Sequence, residues 1–264
     1  MRRWRRLMGM KQILVMMVVV VGCSNDTPET SQAAEAEGQV TPVTDPVSSA
    51  DEKLIADPIV EEAMREWLKK PEGELTEADL QKLTHLILDD TQITDAGLSE
   101  VAKLQNLKSL GLARTQITDA GFKEVAKLQQ LEILILNNTQ ITDEGLEEVA
   151  KLQNLKALGL SYTQITDAAL KKVANLKSLT GISMDGTKIT DAGLAEIAKF
   201  KQLTYLSLDL TQITDEGLNE VAELQKLKSL NLLGTKTTAE GVAELKKLLP
   251  NCGIVAPNPP RKTP

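Results

Sequence analysis

The side chains that could do chemistry are few, and they lie far apart along the chain. His85 is the only histidine, and the only cysteines are Cys23 and Cys252. Acid-base or nucleophilic catalysis needs a second group within hydrogen-bond reach, and no such partner recurs near His85. We therefore expect His85 on the surface of its strand and Cys252 as a small buried residue. No phosphate-binding glycine loop or cluster of metal ligands is present, so the sequence predicts no enzyme, metal site or cofactor.

Most of the chain consists of one repeated segment, so the structure of that repeat determines where any binding residues lie. The sequence from Thr91 to Leu98 (TQITDAGL) returns at a constant interval. Its later copies begin at Thr115, Thr139, Thr163, Thr187, Thr211 and, in altered form, Thr235. A fixed period in the twenties is typical of a solenoid built from identical small units.

Each unit reads L-x-x-L-x-L-x-x-T-x-I-T-D-x-G-L-x-x-V-A-x-L-x-x. The alternation in Leu110-Gly111-Leu112 predicts a short strand with its leucines on one side. The apolar positions after the turn recur at helical spacing. Parallel strands stack about 4.8 Å apart and helices need about twice that spacing, so the stack must curve with its strands inside.

The pattern resembles the leucine-rich repeat family, whose signature is L-x-x-L-x-L-x-x-N/C-x-L. Threonine stands here at the Asn/Cys position, and the I-T-D-x-G-L segment is similar to the ribonuclease-inhibitor-like and cysteine-containing subclasses. The resemblance implies a right-handed α/β solenoid, shaped as a horseshoe. Parallel strands would line its concave face and helices its convex face, and a helical cap would cover its N-terminal end.

The repeated polar residues are interpreted as framework. We expect each threonine hydroxyl to bond within its turn, and each aspartate to serve the N-terminus of its own helix. The glycine of each TD-x-G segment is replaced by Ala169 in one unit, so we expect the site to need a small residue rather than a positive φ.

The inner face of the strands varies between units, so we expect specificity to lie there. Ile133 and Ile135 share one strand whose neighbours carry Gly111 and Gly159, which predicts an apolar floor with room around it. The candidate partner-binding residues are Arg114, Ile133, Ile135, Tyr162, Asp185, Tyr205 and Asp209.

The tyrosines and aspartates among these candidates suggest a partner. Tyr162 and Tyr205 offer rigid amphipathic contacts of the kind enriched at interfaces. Asp185 and Asp209 lie on adjacent strands, where we expect them to repel each other until a cationic partner group or a weakly bound cation relieves them.

The N-terminus suggests export. The basic start and the apolar run from Ile13 to Val21 are typical of a secretory leader too short to span a bilayer. The sequence Val20-Val21-Gly22-Cys23 resembles the lipobox of bacterial lipoproteins, which implies a lipid anchor on Cys23. An uncleaved anchor and ordinary secretion remain alternatives, and translation could begin at Met1, Met8 or Met10.

The expected organisation has five parts. Residues 1–22 form a lipoprotein signal peptide, 23–50 a disordered tether, 51–82 N-terminal capping helices, 83–255 the repeat domain with about seven repeats, and 256–264 a disordered tail. Asp57 and Pro58 should begin the first capping helix, and we expect Trp67 to pack against the first repeat.

Charge narrows the range of partners. The chain carries a net charge of -7, and five positive charges precede Cys23, so removal of the leader would leave -7 minus 5, or -12. Such a surface repels phosphate backbones, and we expect no nucleic-acid partner. The sequence favours an exported, membrane-anchored protein or peptide binding module of the bacterial cell envelope. The alternative is a structural spacer of the envelope without a discrete ligand.

Overall fold

The computed structural model describes residues 53–256. The predicted signal peptide, the predicted lipidation site at Cys23, the predicted tether to residue 50 and nearly all of the predicted tail at 256–264 lie outside the described residues.

Two helices form the N-terminal cap. Helix α1 spans Pro58–Leu68, and the Asp57 carboxylate accepts the Ile59 amide hydrogen at 2.8 Å, so the predicted helix start is confirmed. Val60 and Met64 of α1 are fully buried against the first repeat. Helix α2 spans Glu77–Lys82 and begins with a capping box.

Eight parallel strands form a single sheet whose strand order follows the sequence. The strands are β1 His85–Ile87, β2 Ser109–Gly111, β3 Ile133–Ile135, β4 Ala157–Gly159, β5 Gly181–Ser183, β6 Tyr205–Ser207, β7 Ser229–Asn231 and β8 Gly253–Val255. Neighbouring strands pair in repeat register, as in Leu86 with Leu110. Strand β8 extends the seven aligned repeats, and its Ile254 pairs with Leu230.

A helix follows each strand from β1 to β7. The helices are α3 Leu98–Val101, α4 Phe122–Val125, α5 Gly145–Val149, α6 Asp167–Val173, α7 Asp191–Ile197, α8 Asp215–Val221 and α9 Ala239–Leu248. One 3-10 turn precedes α3 and another precedes α4. The repeated leucines and isoleucines between sheet and helices form one continuous core.

The threonine that follows each strand holds its own turn. Every hydroxyl donates to the carbonyl oxygen three residues earlier, at 2.5 to 2.7 Å, and this confirms the structural role expected of these residues.

The aspartate near the start of each helix from α3 to α8 makes a contact that was not expected. Its Oδ1 accepts the backbone N–H of the capping threonine in the next repeat at 2.7 to 2.9 Å, and its Oδ2 accepts that threonine's hydroxyl at 2.6 Å. Asp167, for example, binds Thr190. The predicted first-turn position of these aspartates is confirmed, as for Asp167, and the carboxylate in addition joins neighbouring repeats, which was not predicted.

The same aspartate explains why glycine occurs near the start of the repeat helices. Gly97 has φ of -68° and Gly121 has φ of -73°, which confirms that no left-handed backbone is required. A Cβ on Gly121 would lie 2.5 Å from the Asp95 carboxylate of the preceding repeat. The close approach of that carboxylate therefore accounts for the missing side chain.

Candidate functional site

The candidate site lies on the inner face, which is the sheet face turned away from the helices. Side chains alternate along a strand, so Leu110 enters the core while Ser109 and Gly111 face inward. The C-terminal ends of the strands continue into turns that are also joined repeat to repeat, as where Tyr162 N–H donates to the Asp185 carbonyl.

The middle of the inner face is closed. Ile133 and Ile135 are only 7% and 5% exposed, and they form a small separate cluster with Ala113 and Ala157. The space at Gly111 is filled by a neighbouring carboxylate and the space at Gly159 by Ile135 and an asparagine. The expected room around the two isoleucines is absent, and that part of the prediction is wrong.

At the N-terminal end of this face, Arg114 is held within the chain. Its guanidinium donates two hydrogen bonds to the Asp90 carboxylate, each 2.6 Å long, and this contact raises the pKa of Arg114. Asp89 lies beside the pair and accepts the Ala113 N–H at 2.8 Å. Burial raises the pKa of Asp89 to about 6.

A partly exposed aromatic side chain lies at the N-terminal edge of the sheet. Trp67 is 42% exposed and stacks on His85, with ring centroids 6.5 Å apart and planes 13° from parallel. It therefore covers part of the first strand while remaining half open to solvent. Burial, followed by the charge of Lys108, lowers the pKa of His85, whose Nδ1 lies 2.8 Å from the Thr84 hydroxyl.

The residue before each repeated threonine forms what we term the turn row. Its seven members all have positive φ, between 56° and 70°, in the left-handed region. They are Asp90, Arg114, Asn138, Tyr162, Gly186, Leu210 and Gly234. Glycine adopts this conformation without strain, whereas a bulky side chain raises its energy.

Three large apolar side chains are exposed toward the C-terminal end of the turn row. Tyr162 is 51% exposed, Leu210 56% and the adjacent Leu233 44%. The Tyr162 ring lies over Gly186, where an added Cβ would be 2.6 Å from the ring carbons. Leu210 lies over Gly234 in the same way. We call Tyr162, Leu210, Leu233, Asp185 and Asp209 the C-terminal patch.

The two aspartates of the C-terminal patch have different surroundings. The Asp185 carboxylate accepts hydrogen bonds from the Ser161 hydroxyl at 3.0 Å, from the Ser207 hydroxyl at 2.5 Å and from the Asp209 N–H at 3.0 Å. Asp209 accepts the Leu233 N–H through Oδ1 at 2.6 Å. Burial and the negative charge of Asp185 raise the pKa of Asp209. The repulsion expected between the two carboxylates is therefore present, although donors within the chain satisfy much of Asp185.

Two further inner-face residues adjoin the C-terminal patch. Tyr205 packs against the Ile133 cluster, and burial raises the pKa of its phenol. Ser183 lies two residues before Asp185 on the same face, and its buried hydroxyl has no hydrogen-bond partner within residues 53–256.

The structure thus brings Asp185 next to Tyr162 and Asp209, and it places Tyr205 close enough for both carboxylates to act on the pKa of its phenol. Arg114 lies two repeats before Tyr162 and pairs with Asp90. Leu210, Leu233 and Trp67 are exposed residues that sequence reasoning did not select. For Leu210, the available signal was a large aliphatic side chain at a turn-row position where no other repeat has one.

No group of three or more His, Cys, Asp and Glu side chains that could hold a metal ion occurs between residues 53 and 256. Cys252 is buried, which raises the pKa of its thiol. Within the same part of the chain, no helix is both long enough and apolar enough to cross a membrane.

Comparison with known proteins agrees with this geometry. The sequence model described as leucine-rich repeat region matches residues 76–247. The chain belongs to the leucine-rich repeat family. Repeats of this family commonly serve as protein-binding modules, and members of this kind are typically not enzymes.

Among solved structures, the chain is similar to internalin C2 of Listeria monocytogenes. The two share 25% sequence identity with a TM-score of 0.57, over 77% of this chain and 95% of the internalin chain. The sequence matches no curated protein.

Proposed function

We propose that this leucine-rich repeat protein binds another protein or a peptide through the C-terminal half of its inner face. The observation that carries the proposal is the exposure of Tyr162, Leu210 and Leu233 in neighbouring repeats beside Asp185 and Asp209. The other exposed large apolar side chains among the described residues lie elsewhere, and they are Trp67, Ile87, Leu248 and Val255. Exposed apolar groups that cluster beside polar ones are typical of interaction sites.

We further propose that the protein acts at a bacterial cell envelope, held by a lipid on Cys23. The support is the basic and apolar leader before Cys23, together with the similarity to a Listeria repeat protein. Each buried methylene of an acyl chain contributes about 0.8 kcal/mol, so more than one chain is needed for a firm anchor.

The alternative of an envelope spacer without a ligand has one observation in its favour. The middle of the inner face is filled by its own side chains, because Ile133 and Ile135 are buried and Arg114 pairs with Asp90. A spacer would not need the exposed side chains at the C-terminal end, so the binding function accounts for more of the surface.

The binding function is tested by pull-down from envelope extracts with the full chain. The variant Tyr205→Ala with Asp209→Asn should lose the partner that the unchanged chain recovers. The control is Lys171→Ala with Glu216→Gln, because both residues are exposed on the convex helices. Equal recovery by both variants would contradict inner-face binding, and failure of the unchanged chain to recover any partner would favour the spacer.

The anchor is tested separately by fractionation. Cys23→Ser should move the protein from the membrane pellet to the soluble fraction. Continued membrane association of that variant would refute lipidation as the means of attachment.

A further inference from the structure

We propose that the C-terminal patch binds an extended polypeptide segment of another protein that presents a lysine or arginine side chain between apolar side chains. This inference rests on the proposed binding function and specifies the chemistry of the partner.

The fold does not require the apolar side chains of the turn row. Tyr162 and Leu210 have φ of 58° in the left-handed region, where a bulky residue is strained. Gly186 and Gly234 occupy the same row in neighbouring repeats and have φ of 64° and 70°. The repeat therefore accepts glycine at this position, and the side chains of the two strained residues remain more than half exposed. Such strain at an exposed position points to a role outside the folding of the chain.

The shape of the patch suits an extended segment. Bulky and glycine residues alternate along the turn row from Tyr162 to Gly234, so each large side chain lies flat over the glycine that follows it. From the turn of β4 to the turn of β7 is three strand spacings, or about 14 Å. An extended chain covers that distance with about four residues at roughly 3.3 Å each.

The negative charges of Asp185 and Asp209 favour a positively charged side chain in that segment. None of the ion pairs between described residues involves Asp185 or Asp209. The Asp209 N–H donates to the Asp185 carboxylate, and no positive side chain among the described residues offsets the effect of burial and of Asp185 on the pKa of Asp209.

A polar group on the strand that precedes Asp185 lacks a hydrogen-bond partner in the described part of the chain. The Ser183 hydroxyl, on the same face as Asp185, is buried without a hydrogen bond among the described residues. A purely apolar partner would desolvate Asp209 further and leave it unpaired, which is costly. An ammonium or guanidinium group would supply both a counter-charge and hydrogen-bond donors.

The test uses the full chain and a random peptide library displayed on phage. Enriched peptides are synthesised, and their affinities are measured by fluorescence anisotropy. We expect the enriched sequences to carry Lys or Arg flanked by apolar residues. Replacing that Lys or Arg by Gln in the peptide, or Asp209→Asn in the protein, should raise Kd about tenfold or more.

Glycine substitutions separate binding from folding. The double variant Tyr162→Gly with Leu210→Gly should bind the same peptides at least about tenfold more weakly, while each substitution changes the equilibrium constant for unfolding by no more than about fivefold, which is about 1 kcal/mol of free energy. Asn138→Gly is the matched control, because Asn138 belongs to the turn row with φ of 57° but lies outside the patch. It should leave Kd unchanged.

Other outcomes would overturn the inference. One is a library without enriched peptides, and another is a set of enriched peptides whose binding ignores the Lys-to-Gln change. Peptides that lose affinity on Trp67→Ala but not on Asp209→Asn would place recognition at the N-terminal edge and contradict the proposed function as well. Peptides that lose affinity on Tyr162→Gly with Leu210→Gly but not on Asp209→Asn would overturn the cationic partner and leave the proposed function standing. A dimer by light scattering that becomes a monomer on Leu210→Gly would assign the patch to a second copy of the chain.

Discussion

Replacement of Asp167 by alanine tests whether the helix-start aspartates join neighbouring repeats. The carboxylate receives two hydrogen bonds from Thr190, one from the backbone N–H at 2.9 Å and one from the hydroxyl at 2.6 Å. Hydrogen bonds to charged groups contribute about 1.5 to 3 kcal/mol each, and the helix dipole adds about 0.3 to 1 kcal/mol for a first-turn carboxylate. Because water replaces part of the lost bonding, we expect Asp167→Ala to lower the free energy of unfolding by about 2 to 4 kcal/mol.

The assay is urea unfolding followed by circular dichroism, with an unchanged m value as the sign that the cooperative unit is intact. Glu216→Ala is the control, because Glu216 is an exposed carboxylate in the first turn of α8. If the dipole alone matters, Asp167→Ala and Glu216→Ala should cost about the same, at most about 1 kcal/mol.

A double-mutant cycle isolates the contact between repeats. Thr190→Val removes the hydroxyl that donates to Asp167 Oδ2 and keeps the backbone donor. We expect a coupling energy of about 1 to 2 kcal/mol between Asp167→Ala and Thr190→Val. Additivity within about 0.3 to 0.5 kcal/mol would refute the contact as a source of stability.

Three further predictions concern stability. Tyr162→Gly should change the free energy of urea unfolding by no more than about 1 kcal/mol, since relief of about 1 to 2 kcal/mol of left-handed strain offsets the greater freedom of glycine in the unfolded chain. The raised pKa of Asp89 means that the folded state binds more protons between pH 3.8 and about 6. Stability should therefore fall by up to about 3 kcal/mol as pH rises through that window, and Asp89→Asn should remove this slope in unfolding measured against pH. Gly145→Ala should cost about 1 to 2 kcal/mol in urea unfolding, because the added methyl group meets the carboxylate of the preceding repeat, whereas Ala169→Gly should cost no more than about 1 kcal/mol.

The fold could be predicted from sequence because the constant repeat length determines which residues of neighbouring strands pair. A strict period places Leu110 beside Leu86 and Leu134, and these are the pairs that the sheet contains. The alternation of core and inner-face residues follows from strand geometry alone.

The partners of the framework carboxylates were not predictable in the same way. Asp167 stands at a helix start, where a role in its own helix is the expected local interaction. Its actual partner, Thr190, lies 23 residues later, and only the stacking of helices brings them together. Likewise, the sequence aligns Gly111 with Ile135 but does not reveal that the Asp89 carboxylate fills the space at Gly111.

The proposed binding surface is inferred from the side chains that the repeats do not use to hold their own structure. The repeated threonines and aspartates form hydrogen bonds within and between repeats, and the inner-face isoleucines pack in their own cluster. The turn row differs, because its backbone conformation favours glycine and every larger residue there is an addition that folding does not need. Arg114 is such an addition, but Asp90 neutralises it within the chain. Tyr162 and Leu210 have no such explanation inside the described chain, and for this reason they are the residues from which a partner should be sought.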